Sequence, residues 1–98
     1  MSHYVFSRQA ENDLIEIYRY GYLNHGQRKA ELYQEALKRK CELLADSPYI
    51  CRERNEFTPP VHIHPHKKHL IIYTIETDHI LIIRFCHERM NIPQYLEN

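Results

Sequence analysis

Leu70-Ile71-Ile72-Tyr73-Thr74-Ile75 and Ile80-Leu81-Ile82-Ile83-Arg84-Phe85 are two apolar runs joined by the polar Glu76-Thr77-Asp78-His79. Runs rich in β-branched and aromatic residues, with so short a polar connection, predict an antiparallel hairpin. The second run scarcely alternates, so both its faces should be covered, which makes it a central strand. After Cys86 the polarity reverses, and His87-Glu88-Arg89-Met90-Asn91 follows. Side chains at the exit of a buried strand stand on a rigid support, so this exit is the first place to look for function.

Working outward, Val61-His62-Ile63-His64 alternates like an edge strand, and Pro65 limits its pairing. Thr58-Pro59-Pro60 is a break, and Cys51-Arg52-Glu53-Arg54 is too charged for a buried strand. Upstream, Ala30, Tyr33, Leu37, Cys41 and Leu44 recur at helical spacing, flanked by Leu32, Ala36 and Leu43. Lys29, Glu31, Glu35, Lys38, Arg39 and Glu42 form the opposite, solvated face, and Asp46-Ser47-Pro48 stops the helix. An earlier helix carries Ala10, Leu14, Ile17 and Tyr18, with Ser7 as its N-cap and Glu11 and Asp13 at the positive end of its dipole. Asn24-His25-Gly26 is a turn cluster that should end this helix near Leu23. His3 to Phe6 reads as a short first strand.

Two amphipathic helices joined this closely form an antiparallel helical hairpin, since neither can bury its stripe alone. The expected order is β-α-α-β-β-β in an α+β fold. The helical pair should pack on one face of an antiparallel sheet, with a short C-terminal helix around Pro93 to Leu96 as an optional last element.

At 98 residues, 43% hydrophobic and 27% charged with two glycines, the composition predicts one globular domain, residues 1–98, with a single core. No stretch approaches the roughly 18 apolar residues of a membrane span, and the N-terminus lacks a leader pattern. The expectation is a cytoplasmic protein with no membrane partner. Cys41, Cys51 and Cys86 are an odd number at irregular spacing, which fits reduced thiols better than a disulfide framework. Thirteen basic residues balance thirteen acidic ones. A protein built to grip phosphates is usually basic, so no sequence-specific nucleic-acid binding is expected.

His62, His64, His66 and His69 form a cluster. His62 and His64 share one strand face and can pair on a metal, but no Asp, Glu or Cys stands nearby in sequence to complete a tetrahedron. Polar positions on a half-exposed edge strand account for the cluster more simply, and no metal or other cofactor is expected. Lys67 and Lys68, beside His66 and His69, give a basic patch that protects a sheet edge or meets an acidic partner. Arg84 interrupts an apolar strand, so its guanidinium needs either a carboxylate or carbonyl partner or a functional concavity. His87 has the pKa range of a general acid or base, although only Arg84, Glu88 and Arg89 are close in sequence. Tyr18, Tyr20, Tyr22, Tyr33 and Tyr73 read mainly as packing residues. There is no Gly-rich phosphate loop, CxxC, GxSxG or HExxH, so nothing forces an enzyme.

The order β-α-α-β-β-β, the opening Ser7-Arg8-Gln9-Ala10-Glu11-Asn12-Asp13-Leu14 and the helix ending Leu43-Leu44-Ala45-Asp46-Ser47-Pro48 resemble the RelE/ParE superfamily of bacterial toxins. Ile80 to Asn91 is similar to the ParE branch, whose final strand ends in a His-x-Arg-Met-Asp-like tail; Asn91 stands where that tail has Asp. The resemblance covers nearly the whole chain. It implies a growth-inhibiting toxin neutralised by a cognate antitoxin, with DNA gyrase as the target and no catalytic residue. Target contacts are then expected at Arg84, His87, Glu88, Arg89, Met90 and Asn91 with Lys67 and Lys68. An antitoxin helix is expected on Tyr18, Tyr22, Leu32 and Ala36. The runner-up is a ribosome-dependent mRNA endonuclease of the RelE/YoeB kind, with Arg84, His87 and Lys67 acting on the 2′-hydroxyl and phosphate. A third reading is an inactive toxin-fold binding partner.

Overall fold

The computed structural model describes residues 3–89 and residue 92. Met90, Asn91 and the C-terminal helix expected around Pro93 to Leu96 lie outside the described residues. The elements are β1 (Tyr4–Phe6), α1 (Arg8–His25), α2 (Gln27–Asp46), β2 (His62–His66), β3 (His69–Ile75) and β4 (Ile80–His87). This is the expected α+β order.

Ser7 caps α1 as its sequence position suggests. Its backbone is extended, and its Oγ accepts from the Ala10 amide at 3.0 Å, satisfying one of the helix's unpaired donors. The turn cluster proves shorter than expected. Asn24 and His25 remain helical, with the Asn24 amide donating to the Tyr20 carbonyl at 2.8 Å. Gly26 alone joins the helices at φ 92°, a conformation that favours glycine. α2 ends at Asp46, one residue before Ser47-Pro48.

The sheet order is β1-β4-β3-β2. β2 pairs antiparallel with β3, and β3 with β4, whereas β1 runs parallel to β4. The sheet is therefore mixed, where an antiparallel one was expected. The tight connection between β3 and β4 forces opposite directions, but the whole helical hairpin intervenes after β1, and so long a crossover permits a parallel pair.

β4 is the central strand, covered on both faces. Ile80, Ile82 and Phe85 pack toward the helices with Ile71, Tyr73, Leu14, Leu37, Leu44 and Cys41. On the other face Ile72, Cys86 and Val61 form a second cluster, covered by Phe57, Ile63, Leu70, Ile83 and Ile92. Each fully buried Leu, Ile or Phe contributes about 1.5–3 kcal/mol relative to exposure. Tyr73 is fully buried, and its hydroxyl donates to the Pro48 carbonyl at 2.9 Å.

A β-bulge explains why the β4 sequence fails to alternate. Ile72 pairs with Arg84 and Tyr73 with Ile82, leaving Ile83 as the extra residue. The face presented to the helices thus shifts from Ile80 and Ile82 to Phe85. β1 covers only Ile80 to Ile82 of β4. Beyond that, the start of α1 closes the strand edge. The Ser7 amide donates to the Ile82 carbonyl at 2.9 Å, the Ser7 hydroxyl donates to the Ile83 carbonyl at 2.7 Å, and the Phe85 amide donates to Asp13 Oδ2 at 3.0 Å.

Candidate functional site

Three pieces of chain meet at one end of the molecule. The β2–β3 turn is only Lys67-Lys68, and Lys67 sits at φ 55°, in the left-handed region where a side chain is strained. The Glu88 amide donates to the Lys68 carbonyl at 2.8 Å, tying this turn to the exit of β4. His69 and His87 are directly paired across β3 and β4, and their rings meet edge to face at 5.6 Å. From α2, the Tyr33 hydroxyl lies 2.6 Å from His69 Nδ1. Burial, then His87 and His66, hold the His69 pKa below the usual imidazole range, while burial raises that of Tyr33. Both groups are neutral at pH 7.

These pieces flank a groove of about 810 Å3 between the loop end of the helical hairpin and the turn of the β2–β3 hairpin. Ile17, Gly21, Ala30 and Phe85 supply its apolar wall; Lys29, Lys67 and Lys68, with His25, His69 and His87, supply its polar rim. The helices pack closely along the groove wall because both carry small residues here. A Cβ placed on Gly21 would meet the Ala30 Cβ at 3.4 Å. Of the carboxylates in the wall, Asp13 is bound to Arg84, and Glu16 lies 3.7 Å from Arg19.

Arg84 takes the structural alternative that its position left open. Its Nε donates to Asp13 Oδ2 at 2.8 Å and its Nη2 to Asp13 Oδ1 at 3.0 Å, with both side chains about 15% exposed. This fork fixes α1 to β4. His87 Nδ1 accepts from the Arg89 amide at 3.2 Å. Glu88 and Arg89 are exposed beyond it. Lys67, Lys68, His87, Glu88 and Arg89 therefore form one contiguous surface. His25, Lys29 and Tyr33 join it, which sequence spacing did not reveal because they stand on the two helices. The signal available was Gly21, a glycine inside a helical pattern.

His62 and His64 lie on one face of β2. His62 is 5% exposed, stacks on Tyr73 at 5.2 Å, and donates from Nδ1 to the Cys51 carbonyl at 2.9 Å. His64 Nδ1 lies 3.1 Å from Cys51 Sγ, a neighbour the linear sequence did not supply. Among the described residues no three His, Cys, Asp or Glu side chains converge to hold a metal ion.

A model of the ParE toxin of the type II toxin–antitoxin system parDE matches residues 4–92. The chain belongs to the ParE toxin family. Its fold is similar to that of a solved chain from a chromosomal ParDE toxin–antitoxin system of P. aeruginosa. The TM-score is 0.76 at 19% identity, over 89% of this chain and 96% of that one. No curated protein sequence matches it.

On this ParE-family chain the outer faces of the two helices form a second surface. Tyr22 is 49% and Leu32 51% exposed, whereas Tyr18 and Ala36 are half-buried. The Tyr18 and Tyr22 rings lie 6.2 Å apart, and Ile15 and Leu43 extend the exposed apolar area. No described helix is long and apolar enough to cross a membrane.

Proposed function

We propose that this ParE-family toxin arrests growth by binding DNA gyrase and stabilising its cleaved-DNA state, without catalysing a reaction itself. The contacts belong to the β4 exit and the adjoining turn: His87, Glu88, Arg89, Lys67 and Lys68. The observation that carries this reading is their contiguity, held by the Glu88–Lys68 backbone bond. Met90 and Asn91, which follow in sequence, are assigned to the same contacts by the family resemblance alone. Arg84 supports it from beneath through Asp13.

Binding rather than catalysis is favoured by what surrounds the exit. A nuclease needs acid and base groups aligned on a substrate position. Here the guanidinium best suited to a scissile phosphate is engaged by a carboxylate, and His69 is held neutral with its Nδ1 on Tyr33. The juxtaposition of Lys67 and His87 along one groove still gives mRNA cleavage as the second reading.

Neutralisation by a cognate antitoxin fits the second surface. An apolar helix laid over Tyr18, Tyr22, Leu32 and Ala36 would remove exposed hydrophobic area, and a disordered segment folding on contact can cover such a face reversibly.

Controlled expression separates the two readings. Loss of plasmid supercoiling with double-strand breaks, and intact messages by primer extension, is the expected result. Message cleavage with normal plasmid topology would overturn the gyrase reading in favour of the nuclease.

A further inference from the structure

The groove beside the β4 exit has the size and character of a small-molecule site: about 810 Å3, an apolar wall and a few convergent polar groups. Its charge is segregated. The whole chain has zero formal net charge, yet Lys29, Lys67 and Lys68 line this one groove; of its two carboxylates, Asp13 is bound to Arg84 and Glu16 lies 3.7 Å from Arg19 on the helix side. Two further features shape the groove. Lys67 occupies a left-handed conformation better suited to glycine or asparagine. Gly21 interrupts a helix where alanine would be more stable, and its missing side chain deepens the groove against Ala30.

We propose that this groove binds a small amphipathic anion, an aromatic or aliphatic body bearing one carboxylate, sulfonate or phosphate. The body lies on Gly21, Ala30 and the Tyr33 ring, and the acid group reaches the ammonium groups of Lys67, Lys68 and Lys29. Charge complementarity selects the anion; the neutral imidazole of His69 and the Tyr33 ring add flat surfaces rather than charge. An occupant would touch Lys67 and Lys68 and so compete with the toxin's target. That consequence rests on the target-binding reading above, but the binding does not.

The test is a titration of the 15N-labelled full chain with 1-anilinonaphthalene-8-sulfonate, followed by amide shifts, with the neutral N-phenyl-1-naphthylamine as its uncharged twin. The proposal expects saturation at one equivalent, with shifts concentrated at Gly21, Ala30, Tyr33, Lys67 and Lys68. The neutral twin should bind about tenfold more weakly or worse, the loss expected when one charge-assisted contact is removed. Lys29→Glu should weaken the sulfonate by a similar factor, and Gly21→Leu should abolish binding by filling the groove. Should Gly21→Leu fail to fold, Lys29→Glu, an exposed position, carries the test. Shifts centred instead on Tyr22 and Leu32, or equal affinity for the neutral twin, would overturn the proposal. So would concentration-dependent shifts of the groove amides without the anion, which would mean that a second copy of the chain fills it. Failure here leaves the gyrase reading intact, since no target is present.

Discussion

The Arg84 guanidinium and the Asp13 carboxylate form a two-bonded fork, Nε to Oδ2 at 2.8 Å and Nη2 to Oδ1 at 3.0 Å, that fixes the first helix to the central strand. The same Oδ2 accepts from the Phe85 amide where β1 no longer covers the edge of β4. One carboxylate therefore satisfies a buried cation and a strand-edge donor together. Removing it leaves both unpaired.

Asp13→Ala should accordingly destabilise the fold by about 3 kcal/mol, as expected when one partner of a largely buried pair is deleted. Urea denaturation followed by circular dichroism measures it. The double variant Asp13→Ala/Arg84→Ala should lose less than the sum of the two single changes. Additive losses would mean that the fork is not coupled.

Stability should also fall in mild acid. Burial is the main cause that lowers the pKa of His64, His66 and His69. A folded pKa below the unfolded value of 6.5 means that the unfolded chain takes up protons first. Folding is unaffected well above that pH and weakens as pH falls through 6.5 toward the lower folded values. Urea midpoints at pH 7.5, 6.5 and 5.5 should decrease in that order. His69→Gln should flatten the dependence. Glu56 and Asp78, whose pKa values are lowered by Arg54 and His79, act only at more acidic pH.

The three thiols should separate by reactivity. Burial pushes the Cys41 thiol up to about 12 and the Cys86 thiol up to about 11, and both side chains are enclosed. Cys51 is only half-buried. A colorimetric disulfide reagent should therefore modify one thiol of the native protein at pH 8 and three in denaturant. Rapid native labelling of Cys41 would contradict the helix-to-sheet packing described above.

Gly21→Ala should raise stability by about 0.5–1 kcal/mol, because alanine is the better helix former and the new Cβ would meet Ala30 at an ordinary 3.4 Å. Thermal unfolding reads the sign directly. A lower midpoint would show that the new methyl group does not fit between α1 and α2.

Much of this architecture was legible along the chain because the forces that set it are local. The Ser7 cap, the stripe through Leu37, Cys41 and Leu44, and the β3–β4 hairpin each follow from spacing within a few residues. The direction of β1 did not, because its partner Ile80–Ile82 lies 76 residues away and no local turn constrains it. The non-alternation of β4 correctly implied burial on both faces, but its cause, the bulge at Ile83, depends on the register with β3. At the site, Lys67 and Lys68 were visible as a basic patch before one apolar run, and His87 as the polar break after the other. Their juxtaposition with Lys29 and Tyr33 was not, because it arises from packing the loop end of the helices over the β2–β3 turn. Arg84 could be seen to need a partner, and Asp13 could be seen only as a helix-dipole residue. Their pairing across 71 positions is a property of the fold.

The most direct test of the central claim is a supercoiling assay with purified toxin, DNA gyrase, ATP and relaxed plasmid, comparing the native chain with Lys67→Glu/Lys68→Glu. The account predicts inhibition with trapped double-strand cleavage by the native chain, and loss of that inhibition in a variant that stays folded. Unimpaired supercoiling in the presence of folded, growth-inhibiting toxin would contradict it.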